Sequence, residues 1–254
     1  MKKIIVSLLT IMSLSLSGMA FTHAPADTNK MDNTGKKTGF WKERMNQSDF
    51  YGTYVNDKKE GLWIGYYVNG IISNMEEYKN GKKNGHSIQI DKSGFFFQKD
   101  YYINDTLNGL SVSYFSGAKL RSEIEYKMGV LNGIKRLYYA DGKIQEDGHY
   151  KNNVRDGVTK WYFPEGGAVS VVYMYKNGLL DGMETTYYKN GNIESDVKSV
   201  NNLEEGDYHE YFENGKIKIV GKYIHGKKEG AWKEYDDAGK VIKTEMYKNG
   251  ELKK

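Results

Sequence analysis

Glycine returns along this chain at a nearly constant interval, and that interval limits what the chain can fold into. Gly39, Gly61, Gly85, Gly109, Gly133, Gly157, Gly182, Gly206 and Gly230 are separated by 22, 24, 24, 24, 24, 25, 24 and 24 residues. Two further registers share the period. Five residues after the anchor glycine stand Tyr66, Tyr114, Tyr138, Tyr162, Tyr187, Tyr211 and Tyr235. Nine residues after it stand Gly70, Gly94, Gly142, Gly166, Gly191, Gly215 and Gly239. A third tyrosine series, near seventeen residues on, includes Tyr78, Tyr126, Tyr150 and Tyr223. Registers locked to one spacing mark an array of structural repeats, each completed by its neighbours.

Within a unit the pattern is strand, turn, strand, turn. In the second unit GLWIGYY and IISNMEEY are rich in strand-forming residues, and VNG and KNGKKN are turn segments. A turn about every twelve residues leaves no room for a long helix. Asn-Gly occurs nine times and Asp-Gly four times, dipeptides that supply the positive φ of tight hairpin turns. Pro164 falls in such a turn. The expected fold is all-β: an elongated antiparallel meander of about nine stacked two-strand repeats over residues 39–254. About eighteen strands at ~4.8 Å would span ~85 Å. The tyrosine near +17 is expected opposite the glycine that opens the next unit, its ring covering bare backbone. Strand alternation places +2, where Trp41, Trp63 and Trp232 stand, and +5 on opposite faces.

The N-terminus reads as an export signal. Lys2 and Lys3 precede a mostly apolar stretch, Ile4 to Leu16, too short to span a membrane comfortably, and Gly18-Met19-Ala20 offers a cleavage site. Residues 1–20 are assigned to a signal peptide and 21–38 to a flexible leader. The expected location is therefore exported: periplasm, cell surface or extracellular. Loss of the leader removes two Lys and no acid, so the formal charge falls from +4 to +2. That near balance gives no support to nucleic acid as a partner.

Catalytic signatures are missing. With no cysteine there is no disulfide, thiolate metal site or thiol nucleophile. The five histidines form neither His-x-x-x-His nor His-Glu-x-x-His, and no Gly-x-Ser-x-Gly or phosphate-binding loop occurs. Glu204-Glu205-Gly206-Asp207 lacks the alternating spacing of a calcium loop. The expectation is a non-enzymatic chain without metal or cofactor.

The segments YKNGKKNG and GAWKEYDDAGKVIKTEMYKNG resemble MORN repeats, in the bacterial variant often labelled a YwqK-type antitoxin. The shared core is complete at Tyr223, Gly226, Gly230, Trp232, Tyr235 and Gly239. It is degraded in the third unit and in the seventh, where Ser199 and Asn202 replace Tyr and Gly. The short first unit suits a capping repeat. The resemblance implies stacked β-hairpins, a role in protein interaction, scaffolding or membrane-proximal attachment, and no catalytic residue. Antitoxin activity is not carried over, because such antitoxins act on cytoplasmic toxins.

The expected function is an exported repeat scaffold that binds a protein or cell-envelope component through an aromatic-rich sheet face. Candidate contact residues are Trp41, Trp63, Trp161, Trp232, Tyr66, Tyr138, Tyr162, Tyr211 and Tyr235. Evenly spaced rings suit sugar rings or an extended peptide. The competing reading makes these rows the packing between units; the irregular placement of the four Trp sets them apart from it. Two alternatives remain: a carbohydrate- or cell-wall-binding module, and a binder of anionic membrane. For the latter, Lys58-Lys59, Lys82-Lys83 and Lys227-Lys228 would line up as a positive stripe.

Overall fold

The computed structural model describes residues 27–253 and contains no helix among them. The signal-peptide reading of residues 1–20 lies outside the described residues. Twenty-one antiparallel strands form one open sheet, with no second layer among the described residues. Three strands, Lys30–Met31, Thr106–Leu107 and Glu251–Leu252, are two residues long. The other eighteen match the strand number expected from the period, and each pairs with its sequence neighbours in an elongated meander.

Each unit is one hairpin, and two kinds of turn alternate along the meander. Successive units are joined by two-residue turns with both residues at positive φ, as at Asn80-Gly81 (53° and 82°) and Asn152-Asn153 (52° and 69°). This mirror-image turn matches strand twist and favours Asn and Gly. Within a unit the turn is longer. In Tyr67–Ile71, Gly70 N–H donates to the Tyr67 carbonyl at 2.9 Å and Tyr67 N–H to the Ile71 carbonyl at 2.8 Å. The first unit departs from this: Asn46-Gln47 is itself a two-residue turn, with φ of 50° and 65°, which explains the spacing of 22. Pro164 lies in a turn one residue longer, Phe163–Ala168, in the unit with spacing 25.

The Asn-Gly and Asp-Gly pairs at 84–85, 132–133, 156–157 and 181–182 are not turns, contrary to expectation. They lie inside strands Lys82–Ile90, Val130–Tyr138, Val154–Tyr162 and Leu179–Tyr187. At these anchors the ladder bulges. Glu76 pairs with Ser87 and Tyr78 with Lys83, so Glu77 alone faces residues 84–86. Gly85 takes φ of 126° there, a conformation that favours glycine. The Glu77 carboxylate occupies the space a Cβ would fill and accepts a bond from His86 N–H at 2.7 Å. Glu125 does the same at Gly133, accepting from Ile134 N–H at 2.9 Å. The strand therefore runs through the anchor and starts about three residues before it.

The tyrosine near +17 does pair with an anchor glycine, but with that of its own unit: Gly61 with Tyr78, Gly133 with Tyr150, Gly230 with Tyr247. The connecting turn within the unit folds the second strand back on the first, which fixes that register. Ring-over-glycine packing occurs at a different glycine. A Cβ on Gly52 would overlap the Trp63 ring, and one on Gly221 would overlap Trp232. Trp63 and Trp232 thus each seat on a glycine eleven residues earlier, on the neighbouring strand.

Cohesion between units is lateral. Besides the strand ladder, each inter-unit turn is tied to the start of its unit's first strand. Gly81 N–H donates to the Lys59 carbonyl at 2.8 Å, Gly178 to Arg155 at 2.8 Å and Gly250 to Lys228 at 2.9 Å. On the opposite edge, hydroxyls bridge successive units: Tyr67 to the Ile90 carbonyl at 2.8 Å, Tyr139 to Tyr162 at 2.9 Å and Tyr188 to Tyr211 at 2.7 Å. Each such bond contributes on the order of 1 kcal/mol.

At the N-terminal edge the sheet begins ahead of Gly39. Lys30 and Met31 pair with Thr38 and Lys37, and Asn29 exchanges side-chain bonds with the Lys42 backbone at 2.7 and 3.2 Å. At the C-terminal edge, Glu251–Leu252 and the Lys253 N–H, which donates to Met246 at 2.7 Å, cover part of strand Val241–Lys248. Backbone pairing thus blunts that edge of the sheet.

Candidate functional site

Alternation splits the candidate residues between two faces. Trp41, Trp63 and Trp232 lie on one, in edge contact with tyrosines of adjoining strands. Ring centroids are 5.6 Å apart for Trp41–Tyr54, 5.1 Å for Tyr54–Trp63 and 5.1 Å for Tyr223–Trp232. Trp63 is 1% exposed, and Trp41, Tyr54 and Trp63 form the buried core cluster with Phe50 and Tyr78 packed against it. Trp161, two positions further along its strand at +4, lies on the same face, 5.5 Å from Tyr173.

Cations close over these rings. Lys59 Nζ is 3.9 Å from the Trp63 centroid, Lys228 4.0 Å from Trp232, Lys37 4.7 Å from Trp41 and the Arg155 guanidinium 5.3 Å from Trp161. Carboxylates complete the layer. Tyr78 donates to Glu76 at 2.7 Å and Lys83 pairs with the same carboxylate at 2.6 Å. Tyr54 donates to Glu43 at 2.8 Å, and Arg155 donates to Glu146 at 2.8 Å. Burial alone would push Glu76 up; the bonds from Lys83 and Tyr78 and the charges of Lys83 and Lys59 outweigh it, holding the carboxyl below its ordinary value. Burial, then the charge of Glu146 and last the bond to it, outweigh the Arg155 charge and push the Tyr150 phenol up to about 12. The rings, cations and carboxylates of this face thus meet one another. The face also holds the second lysine of each basic pair, Lys59, Lys83 and Lys228, so those pairs do not project whole as a stripe.

The +5 tyrosines occupy the opposite face, all partly exposed. Tyr138 donates to Glu123 at 2.6 Å, and burial followed by that carboxylate pushes its phenol up to about 12. Tyr211 donates to Asp196 at 3.0 Å, which His209 also contacts at 2.9 Å. Tyr162 is raised by burial and then by Asp147, which lies 3.2 Å from Arg136 Nε. Tyr235 shares the row at the far end. Tyr66 stands edge-on to Tyr51 at 5.7 Å, and burial raises its phenol.

Tyr66 also lines a recess of about 370 Å³ on this face, with Arg44, Asp49, Tyr51, Tyr67 and Val68. Two further recesses, of about 590 and 230 Å³, share Asn46 and Tyr67 with one another. All three surround the short Asn46-Gln47 turn, which reaches less far than the turn of the next unit and leaves a notch before it. The signal for this notch is the first glycine spacing of 22. Asp49 is held by Lys42 at 2.8 Å, and bonds to Asp49 and Tyr51 raise the Lys42 amine.

The model of the MORN repeat variant family matches residues 131–152, 180–201, 204–225 and 228–249. Each match spans one hairpin, from the start of its first strand to the following turn. Four such repeats in one uninterrupted sheet make the chain a repeat scaffold. No curated protein matches the chain.

Proposed function

We propose that this scaffold is exported, is not an enzyme, and binds a protein or another cell-envelope component through the face that carries Tyr66, Tyr138, Tyr162, Tyr211 and Tyr235. The leader pattern at Lys2, Lys3 and Ile4 to Leu16 supports export. One observation carries the choice of face. On the Trp face Trp41, Trp63 and Trp232 are buried under their own neighbours, whereas every candidate tyrosine of the +5 face is partly exposed. Such amphipathic rings on a stiff sheet supply contact area at little entropic cost.

Photo-crosslinking tests this in cells that express the full chain, with the reactive group at Tyr138 or Tyr211 and, as control, at Lys59 on the Trp face. Adducts to envelope material from the first two positions and none from the third are expected. Adducts only to cytoplasmic material, or from Lys59 alone, contradict the reading.

A further inference from the structure

The notch beside the first turn has the dimensions and chemistry of a small-ligand site. Its volume of about 370 Å³ lies in the range of such sites, roughly 300–1,000 Å³. Tyr51 and Tyr66 meet with an interplanar angle of 79°, so their rings form two walls of a corner. Arg44 stands on the rim with its side chain 69% exposed. Its Nε is 4.0 Å from Asp49 Oδ1, too far for a hydrogen bond, while Lys42 binds the other carboxylate oxygen at 2.8 Å. The guanidinium therefore keeps donors to offer, next to the exposed Gln47 amide.

We propose that this recess holds one sugar ring of a polysaccharide. The apolar C–H face of the ring stacks in the Tyr51–Tyr66 corner, and its hydroxyls take bonds from Arg44 and Gln47. Arg44 and Lys42 are the cations and Asp49 offsets one of them, so the rim keeps one positive charge and presents N–H donors to the ring's hydroxyl oxygens. A peptide adding as a strand finds no edge, since Tyr51 is paired with Ile64 and Asp49 with Tyr66. The inference rests on the scaffold reading and names the ligand class for one part of the same face.

Affinity electrophoresis of the leaderless full chain through gels containing hydroxyethylcellulose, glycol chitin or dextran tests it. Retardation by at least one polymer is expected. Tyr66→Ala should weaken it about tenfold or more. A variant with two residues added to the Asn46-Gln47 turn should lose it by filling the notch. Tyr235→Ala, at the far end of the face, should retain it; far-UV circular dichroism checks that each variant is folded. No retardation in any gel, unchanged retardation of the lengthened-turn variant, or capture of a proline-rich peptide at the notch instead would overturn the proposal. Crosslinked envelope protein at Tyr138 without polysaccharide retardation refutes the sugar site and leaves the scaffold reading standing.

Discussion

Replacing Gly52 by alanine should reveal how the units lock together. Gly52 faces Trp63 across a strand boundary, and a Cβ there would overlap the five-membered ring of the indole. The ring cannot yield easily: it is 1% exposed, bonded through Nε1 to the Thr53 carbonyl at 3.2 Å, and flanked by Tyr54 and Tyr78. Gly52 φ lies outside the left-handed region, so alanine brings no backbone strain of its own. Overpacking of this kind costs roughly 1–3 kcal/mol. Trp63→Ser opens a cavity in place of the ring, at about 3–5 kcal/mol. In the double variant the added methyl enters vacated space, so the two costs should fall short of their sum by about 1–3 kcal/mol. The chain has made this exchange elsewhere: Glu76 and Asp100 occupy the Gly52 position where Ser87 and Ser111 occupy that of Trp63. Urea unfolding of all four proteins, followed by far-UV circular dichroism, gives the cycle. Equal cost of Gly52→Ala in both backgrounds would refute the seating of Trp on glycine.

Two other perturbations separate further parts of the account. Gly133→Ala should destabilise more than Gly61→Ala: both glycines have positive φ, but a Cβ on Gly133 meets Glu125 and one on Gly61 meets nothing within 4 Å. Equal urea midpoints would mean that the bulge makes room for the carboxylate and the methyl together. Glu76 should give an acid-side pH dependence. Its folded value is depressed, so its contribution is full above the unfolded value of ~4.3 and lost as pH falls through the folded one. Glu76→Gln should therefore lower the urea midpoint at pH 7 and converge with the parent near pH 3; a constant difference across that range would contradict the Lys83–Glu76–Tyr78 arrangement.

The repeat, the all-β class, the strand number and the separation of +2 from +5 were legible in the sequence because each follows from a period. Glycine spacing sets the units, and alternation sets the faces. Legibility failed where one residue type serves two purposes. Asn-Gly makes a turn at 80–81 and a bulge at 84–85. The difference lies in Glu77 on the facing strand, which fills the bulge, and no local window around 84–85 reveals it. The candidate rings were found by type, but burial sorted them. Trp63 and Tyr66 are three residues apart, yet one is core and the other lines a recess. The pairing of Gly52 with Trp63, Gly221 with Trp232 and Glu76 with Ser87 was present as a size complementarity at eleven residues, a separation that the glycine period does not point to. The notch was written in the first spacing of 22, whose meaning needed the geometry of the two turn kinds.

Excision of one whole unit tests lateral cohesion most directly. Deleting residues 109–132 joins the third unit to the fifth, keeps strand alternation, and brings Asp100 to the seat of Lys135. Small-angle scattering on the leaderless chain with and without this unit is the measurement. Two strands at ~4.8 Å should disappear from a still-folded particle, shortening its long dimension by about 10 Å. Collapse of the scattering profile to that of an unfolded chain, or a compact particle whose long dimension does not change, would contradict a fold held together hairpin upon hairpin.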